Sequence, residues 1–384
     1  IIMHLFPPSL YIHLPWCLSK CPYCDFNSHK LNNRSNKNKY IQSLMNDIRA
    51  EAERFSTAKL RTIFIGGGTP SLFNPNEIEE ILQCVKENFF VNEHCEITME
   101  ANPGSMEHYK LSDYQEVGIN RLSLGVQSFN KRSLELLGRL HSVDDVYSVY
   151  EKAVLADFNS INIDLMYGLP EQNIEMAVND IKAAVNLQAQ HISYYQLTIE
   201  PNTQFYNKKP ENMPTSDDNF AIQEKCFSFL SNAGYTRYEI SAFTMAGYEC
   251  QHNLNYWRYG DYIAVGAGAH GKYRYENQIK RYQKPANPIL YMEGNYKKFK
   301  EYKLVTLENS DIIFEYMLNN LRLISGFTEN HFEISTGISF KRIEEKLYKL
   351  NELGMIKKLP DSHWRPTALG FRFLDDMQVE FLSI

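Results

Sequence analysis

Residues 11–26 of the chain read YIHLPWCLSKCPYCDF and contain three closely spaced cysteines, Cys17, Cys21 and Cys24. A spacing of four and then three residues would also align the side chains on one face of a helix. Pro22, however, lies between the second and third cysteines. Because a proline inside a helix costs about 3 kcal/mol, a loop is the better interpretation. A loop allows three thiolates to surround one compact object.

That object could be a zinc ion or an iron–sulfur cluster. Zinc requires a fourth ligand in a closed tetrahedral site, which His13 or His29 could supply. A cubane cluster has four irons, so three cysteines would leave one iron open to a small molecule. We favour a 4Fe–4S cluster on the three cysteines and keep zinc as the alternative. We interpret the four scattered cysteines as small buried apolar residues: Cys84, Cys95, Cys226 and Cys250.

Short apolar segments alternate with amphipathic segments along most of the chain. The predicted strands are Leu10–His13, Thr62–Ile65, Glu96–Glu100, Arg121–Val126, Asn162–Tyr167, His191–Leu197 and Tyr238–Ser241. The predicted helices between them are Tyr40–Phe55, Asn76–Asn88, Val143–Ala156, Glu175–Leu187 and Asp217–Asn232. This alternation predicts parallel βαβ units. The fold class is therefore α/β, with six or seven units that form a partial (β/α) barrel.

Polar residues and glycines follow the predicted strands, where such folds carry their chemistry. Gly66–Thr69 follow the second strand, Glu100 ends the third and Gln127 follows the fourth. Asp164 lies within the fifth strand. We expect these residues to meet the cysteine loop at one edge of the sheet.

The pattern changes after about residue 300, where helical segments predominate. The predicted helices are Asp311–Leu323, Glu329–Ile334, Phe340–Leu353 and Ala368–Phe381, with a short polar stretch at Pro360–Arg365. This order predicts a small, mostly helical, winged-helix-like C-terminal domain.

Bulk properties exclude some classes of protein. The net charge is −6 and the pI about 6.0, which disfavours a nucleic-acid partner. No apolar run approaches the ~18 residues of a membrane span. Residues 1–8 resemble no signal peptide, so we expect a cytoplasmic protein without a transmembrane segment.

The motifs in combination resemble a known superfamily. Cys-x3-Cys-x2-Cys after a first strand, followed by Gly-Gly-Gly-Thr-Pro after the second, resembles the radical S-adenosylmethionine superfamily. Residues 11–17, Gly125–Phe129 and Asp164–Pro170 are similar to the oxygen-independent coproporphyrinogen dehydrogenase group, and most of all to its heme-chaperone branch. The resemblance covers nearly the whole chain. It implies a radical-SAM barrel and a 4Fe–4S cluster whose open iron is chelated by S-adenosylmethionine.

The resemblance also implies which residues hold S-adenosylmethionine, as cofactor-binding positions of the related dehydrogenase. These positions are Tyr11, Tyr23, Gly67, Gly68, Thr69, Glu100, Gln127, Arg139 and Asp164. A carboxylate suits ribose hydroxyls or an ammonium group, and an arginine suits a carboxylate. Some of these contacts belong to a second cofactor molecule in the dehydrogenase.

Residues 266–271, Gly-Ala-Gly-Ala-His-Gly, match the dinucleotide-binding fingerprint and follow an apolar segment. A charged, tyrosine-rich stretch follows them, with no clear helical pattern. Because the fingerprint requires a helix at this point, we do not predict a dinucleotide site here.

Two functions compete within the resemblance. One is an enzyme, a coproporphyrinogen III dehydrogenase of porphyrin biosynthesis; the other is a carrier that binds heme and transfers it to acceptor proteins. Phe26 occupies the position of a further cysteine in the dehydrogenase, and the N-terminal extension of that enzyme is missing before Cys17. These departures favour the carrier.

His252 is our candidate ligand for heme iron. It begins a His-Asn-x-x-Tyr-Trp motif, residues 252–257, which matches the heme-chaperone branch. Imidazole is a usual axial ligand of heme iron. The alternative is a core histidine between buried rings, in which case Cys250 becomes a candidate ligand.

The resemblance implies three segments: a radical-SAM core at residues 1–245, a connecting segment with the His252 motif at 246–305, and a helical C-terminal domain at 306–384. The implied partners are heme and heme-acceptor proteins. Both a monomer and a homodimer stay open as assembly states. RNA-modifying radical enzymes form a third class, which the acidic net charge disfavours.

Overall fold

A computed structural model of the chain describes residues 7–31, 34–294 and 303–382. Its strands are β1 (Ser9–Leu14), β2 (Trp16–Cys17), β3 (His29–Lys30), β4 (Lys59–Gly67), β5 (Phe90–Ala101), β6 (Arg121–Gln127), β7 (Ser160–Tyr167), β8 (His191–Gln196), β9 (Thr236–Glu239), β10 (Ala242–Thr244), β11 (Tyr262–Val265), β12 (His270–Tyr275), β13 (Gln278–Gln283), β14 (Val305–Thr306), β15 (Phe327–Thr328), β16 (Ile356–Leu359) and β17 (His363–Pro366). Its helices are α1 (Arg34–Arg54), α2 (Pro75–Asn88), α3 (Leu111–Glu116), α4 (Lys131–Leu136), α5 (Val143–Leu155), α6 (Ile174–Asn186), α7 (Gln204–Asn207), α8 (Ser216–Asn232), α9 (Gln251–Trp257), α10 (Pro288–Glu293), α11 (Asn309–Asn320), α12 (Glu329–Thr336), α13 (Lys341–Glu352), α14 (Ala368–Arg372) and α15 (Leu374–Val379).

The main sheet has the strand order β14-β13-β12-β11-β1-β4-β5-β6-β7-β8-β10-β9. The strands from β11 to β8 run parallel, and antiparallel strands extend both edges. Among the described strands, no ladder joins β14 to β9, so the sheet stays open. The predicted α/β class with a partial barrel is confirmed. The segment predicted to connect two domains, residues 246–305, supplies β11, β12 and β13 to this same sheet.

Burial on both faces explains why the central strands are so apolar. Leu10, Ile12, Ile63 and Ile65 are fully buried in β1 and β4, as expected for parallel strands covered on each side. Local sequence also fixes where the outer helices begin. α2, α5 and α8 each start with a capping box, in which the cap residue and the third helical residue bond each other's backbone.

The strand predicted at Tyr238–Ser241 is wrong in its bounds. β9 ends at Glu239 and a tight turn leads into β10, which pairs back onto β9. The side chain of Glu239 closes this turn by accepting a hydrogen bond from the Ser241 amide at 3.0 Å. Because the turn contains no glycine, proline or asparagine, the sequence does not reveal it.

The C-terminal region forms a small helical unit with a wing. α11, α12 and α13 pack around Trp364, Phe332 and Leu347, and β15, β17 and β16 form a separate three-stranded sheet. The predicted winged-helix-like character is confirmed. The polar stretch at Pro360–Arg365 spans the turn of the β16–β17 hairpin, and the last predicted helix is broken into α14 and α15 at Phe373. Within residues 7–31, 34–294 and 303–382, no helix is long and apolar enough to cross a membrane.

Candidate cofactor site

The cysteine loop, residues 17–28, lies at the carboxyl edge of the parallel strands. β2 pairs with β3 in parallel, which matches Trp16 with His29 and Cys17 with Lys30 and so closes the base of the loop. Cys17, Cys21 and Cys24 all line one cavity of about 440 Å³. That volume lies within the ordinary range of ligand sites. The sequence thus brings its three clustered cysteines to a single cavity.

Each of the three sulfurs has a polar neighbour. Thr69 Oγ1 donates to Cys17 Sγ at 3.4 Å, and Arg139 Nη1 donates to Cys21 Sγ at 3.7 Å. Cys24 Sγ lies 3.7 Å from Ser28 Oγ. Burial raises the pKa of the Cys17 and Cys24 thiols above the usual range, and the nearby hydroxyls of Thr69 and Ser28 partly offset this effect. A soft metal centre would reverse it, because coordinated thiols are deprotonated.

The donor set fits an iron–sulfur cluster better than zinc. Three thiols facing one cavity, with hydrogen-bond donors beside them, are the usual surroundings of such a cluster. His13 is not free to be a fourth ligand, because its Nδ1 accepts from Tyr11 at 3.0 Å and its Nε2 donates to the main chain of Asn27 at 2.9 Å. His29 Nε2 is also engaged, with Asn27 Oδ1 at 3.1 Å. Among the described residues, no group of three or more His, Cys, Asp and Glu is arranged around a single ion.

Gly68 brings the end of β4 against the start of the cysteine loop. A Cβ atom there would lie 2.6 Å from the carbonyl oxygen of Trp16, so only glycine allows this approach. The Gly68 amide donates to Leu14 at 2.7 Å, and the Thr69 amide donates to Trp16 at 2.8 Å. The glycine motif therefore fixes the loop's first cysteine relative to the sheet.

Two partly buried carboxyl groups face the cavity from β5 and β7. Glu100 accepts a hydrogen bond from the Gly67 amide at 3.1 Å, and burial together with nearby Asp164 raises its pKa to about 8. Asp164 accepts from Asn162 at 2.8 Å and from Ser123 at 3.0 Å. Burial raises the pKa of Asp164 despite these hydrogen bonds. Such carboxyls suit a ligand that carries hydroxyls or a cationic group.

Gln127 and Arg139 complete the polar wall. Gln127 has a φ of 70°, a conformation that a non-glycine residue adopts only under local constraint, and its Oε1 accepts from Tyr195 at 2.8 Å. Arg139 donates to the Gly125 carbonyl at 2.7 Å, while its buried Nε has no partner in the part of the chain that the structure describes. Burial alone would lower the pKa of Arg139, but Tyr23 and Cys21 raise it above its usual value. This guanidinium is therefore a permanent cation beside the thiols.

The structure brings most of the predicted cofactor positions to this cavity. The predicted positions that line it are Tyr23, Gly68, Thr69, Glu100, Gln127, Arg139 and Asp164. Gly67 does not line the cavity, but its amide donates a hydrogen bond to Glu100. Tyr11 is not among the lining residues; its ring stacks on Phe64 at 6.2 Å between centroids.

His252 lies in the core and does not line the cavity. It is 1% exposed, its Nδ1 pairs with Thr62 Oγ1 at 2.8 Å, and its Nε2 pairs with the hydroxyl of Tyr256 at 3.2 Å. Burial lowers its pKa to about 3, so the ring is neutral. The Cys250 thiol is also buried and lies 3.7 Å from Glu96.

A second face of α9 carries the other two residues of the same motif, and this face meets the cavity. Asn253 and Trp257, four residues apart, line the cavity, whereas His252 and Tyr256 face the core. The guanidinium of Arg322 stacks on the Trp257 ring at 4.2 Å. The sequence shows the i, i+4 spacing of both pairs. It does not show which pair packs into the core and which lines the cavity. Phe26 lies on the cavity lining and is 57% exposed.

The sequence profile of the radical SAM superfamily matches residues 11–184. A protein named heme chaperone HemW from Haemophilus influenzae is 41% identical over 382 residues, which cover 98% of each chain. The chain belongs to the HemW family. The Escherichia coli member is also 41% identical, over 378 residues and 98% of each chain.

An enzyme of known structure has the same fold as this HemW family member. The structure of coproporphyrinogen III oxidase (HemN) from Escherichia coli, a radical SAM enzyme, superposes with a TM-score of 0.81 and 23% identity. The match covers 98% of this chain and 90% of that one. This likeness establishes a common radical SAM fold.

Proposed function

We propose that this protein is a heme chaperone, which binds heme and transfers it to acceptor proteins in the cytoplasm. The observation that carries the proposal is the 41% identity to proteins named heme chaperone HemW, over 98% of both chains. The related oxidase shares only 23% identity. Heme and its acceptor proteins are the proposed partners, and a homodimer is a proposed assembly state. No nucleic acid is part of the proposal.

A 4Fe–4S cluster held by Cys17, Cys21 and Cys24 is part of the proposal. When bound, such a cluster supplies a redox-active centre with one iron open to a small ligand. The protein's own contribution is to keep Thr69 and Arg139 beside the sulfurs of Cys17 and Cys21 as hydrogen-bond donors. Hydrogen bonds to cluster sulfurs raise the reduction potential of such centres.

S-adenosylmethionine is the proposed small ligand. Gly67, Gly68 and Thr69 would bind its ammonium group, and Arg139 would pair with its carboxylate. The proposed partners of the ribose hydroxyls are the carboxyl groups of Glu100 and Asp164. The remaining proposed contacts come from Gln127, Tyr23 and Tyr11. The shared cavity supports this set for the residues that line it, and Tyr11 requires a contact that its present hydrogen bond to His13 does not provide.

His252 remains the proposed axial ligand of heme iron, and coordination would cost it two buried hydrogen bonds. To coordinate iron it must give up the bonds to Thr62 and Tyr256 and leave the core. Trp257 and Phe26 are aromatic residues of the cavity lining on which a flat macrocycle could stack.

A coproporphyrinogen III dehydrogenase is the second candidate function, because the fold is common to that enzyme. Phe26 stands where the resemblance places a further cysteine, and we rank the enzyme second for that reason.

The deciding experiment reconstitutes the protein anaerobically and divides one sample between two assays. Heme is titrated into one half and followed by absorbance, while coproporphyrinogen turnover with S-adenosylmethionine and a reductant is measured in the other. Saturable heme binding without turnover supports the chaperone. Turnover without saturable heme binding overturns it in favour of the enzyme.

A further inference from the structure

Asn27 ties the end of the cysteine loop to a distant part of the chain. Its side-chain amide nitrogen donates to the carbonyl of Ala267 at 2.9 Å and to that of Ala286 at 2.9 Å. Its Oδ1 pairs with His29, and its main-chain carbonyl accepts from His13. Both hydrogen bonds of the side-chain amide are therefore made outside the cysteine loop. One is to the glycine-rich segment, residues 266–271, and the other is to Ala286.

The glycine-rich segment is shaped to receive this amide. Gly268 has a φ of 79°, and a Cβ atom at this position would clash with the Asn27 amide. The Gly268 amide donates to Pro285 at 2.8 Å, which holds the two acceptor carbonyls on one surface. Tyr40 strengthens the contact, because its hydroxyl donates to His13 and accepts from the Ala267 amide, both at 2.8 Å.

This receiving surface is itself anchored in the core. Lys284, which immediately precedes Pro285, is fully buried and pairs with Asp47 at 2.7 Å and with Glu51 at 2.6 Å, both on α1. Asp47 also accepts from the Gly266 amide at 3.1 Å. The acceptors of Asn27 therefore belong to a rigid part of the fold.

We propose that Asn27 is a positioning residue, which keeps the three thiols aimed at one cavity and so slows the loss of their cluster. The inference rests on the cluster in the proposed function. Cys24 is three residues from Asn27, and the far end of the loop is otherwise held by the short β2–β3 pair and by the bond from His13 to the Asn27 main chain. Close approaches also explain why residues 266–271 imitate a dinucleotide fingerprint. Gly268 allows the approach of Asn27, Gly266 that of the His13 main chain and Gly271 that of the Tyr282 ring. A strand, β12, follows instead of a helix.

The test measures cluster retention in Asn27→Ala and Asn27→Asp. Each variant is reconstituted anaerobically and exposed to an excess iron chelator, and iron per chain and cluster absorbance are followed with time. The Asn27→Asp side chain has no N–H donor, and its negative charge faces the carbonyl oxygens of Ala267 and Ala286. Both variants should lose iron roughly tenfold faster than the unchanged protein, in line with the loss of two hydrogen bonds, while the melting temperature of the iron-free protein changes little.

Gly268→Ala and Gly247→Ala provide a matched pair. Both glycines have positive φ, 79° and 88°, but nothing lies within 4 Å of a Cβ at Gly247. Gly268→Ala should therefore lose iron quickly and Gly247→Ala should not. The double variant Asn27→Ala with Gly268→Ala should lose iron no faster than Gly268→Ala alone, because the Cβ at position 268 displaces the same Asn27 amide that makes the hydrogen bonds.

Several outcomes would overturn the role of Asn27. Wild-type retention in Asn27→Asp and Gly268→Ala contradicts it, and so does equal loss in Gly247→Ala and Gly268→Ala. If Asn27→Ala does not fold, the two glycine variants decide the question. Absence of a cluster in the unchanged protein contradicts the proposed function as well, whereas a cluster that every variant keeps contradicts this inference alone.

Discussion

At the scale of single residues, the three cavity-facing cysteines should be separable from the others. The reconstituted protein should carry about four irons per chain. Changing Cys17, Cys21 or Cys24 to Ala should remove most of this iron, because a cubane cannot be held by two thiolates. Cys84→Ala and Cys226→Ala are the controls, since both thiols are buried away from the cavity. Iron analysis after anaerobic reconstitution measures the effect. Stoichiometric zinc without cluster absorbance would contradict the assignment.

His252 offers a choice between two roles with different readouts. His252→Ala leaves Thr62 and Tyr256 without their buried partner and should lower the free energy of unfolding by about 1–3 kcal/mol. If the ring ligates heme, the spin-state and ligand bands of bound heme should also change, while iron–sulfur content is kept. Unchanged heme spectra with lower stability would make His252 a core residue, and Cys250 the next ligand to test.

Glu100 should make stability depend on pH. Its pKa is about 8 in the folded protein and about 4.5 without the fold, so between these values the folded state binds more protons than the unfolded state. The free energy of unfolding should therefore fall as pH rises through this window, by on the order of 1.4 kcal/mol per pH unit. Glu100→Gln should flatten that dependence in urea unfolding of the iron-free protein. An equal slope in both proteins would show that other groups cause it.

At the scale of elements, one buried lysine joins α1 to the segment before α10. Lys284→Ala would leave Asp47 buried without a cation and Glu51 with only Arg54 at 3.7 Å, which should cost about 3–5 kcal/mol. Lys341→Ala, on the exposed face of α13, is the control and should change little. Urea unfolding compares the two. A small effect of Lys284→Ala would mean that water or rearrangement compensates the carboxylates.

Elements were predictable where one local pattern determined them. The capping boxes and apolar periodicity of α2, α5 and α8 are local, and these helices lie within a residue or two of their predicted bounds. The orientation of α9 was not predictable, because both of its i, i+4 pairs contain an aromatic ring. Which pair enters the core depends on Thr62 and Phe64, far away in the chain. The position of Asn27 likewise depends on a contact across 240 residues.

At the scale of the whole molecule, the fold is compatible with an enzyme and a carrier, so activity must separate them. We expect no coproporphyrinogen dehydrogenation by reconstituted protein under reducing, anaerobic conditions, because Phe26 replaces a cysteine of the dehydrogenase pattern. Porphyrin product is measured by fluorescence, with a dehydrogenase as the positive control. Clear product formation would reverse the ranking of the two functions.

The class of the fold and the edge that carries the site followed from the sequence, whereas strand order did not. Alternating strands and helices imply a parallel sheet, and polar residues at the strand ends imply where ligands bind. The position of β11 beside β1 depends instead on pairing between residues about 250 apart, such as Ser9 and Tyr262. No local pattern encodes such a partner.

That pairing has a consequence for how the protein is made. β1, which leads into the cysteine loop, lies between β4 and β11. On the ribosome it therefore lacks one neighbour until residue 265 has emerged, and Asn27 waits 240 residues for Ala267. At about 5–20 residues per second, this delay is roughly 10–50 s. Throughout that interval the nascent chain exposes three thiols on a loop that lacks its hydrogen bonds to Ala267 and Ala286. We therefore expect the iron–sulfur cluster to be inserted after the glycine-rich segment has been synthesised.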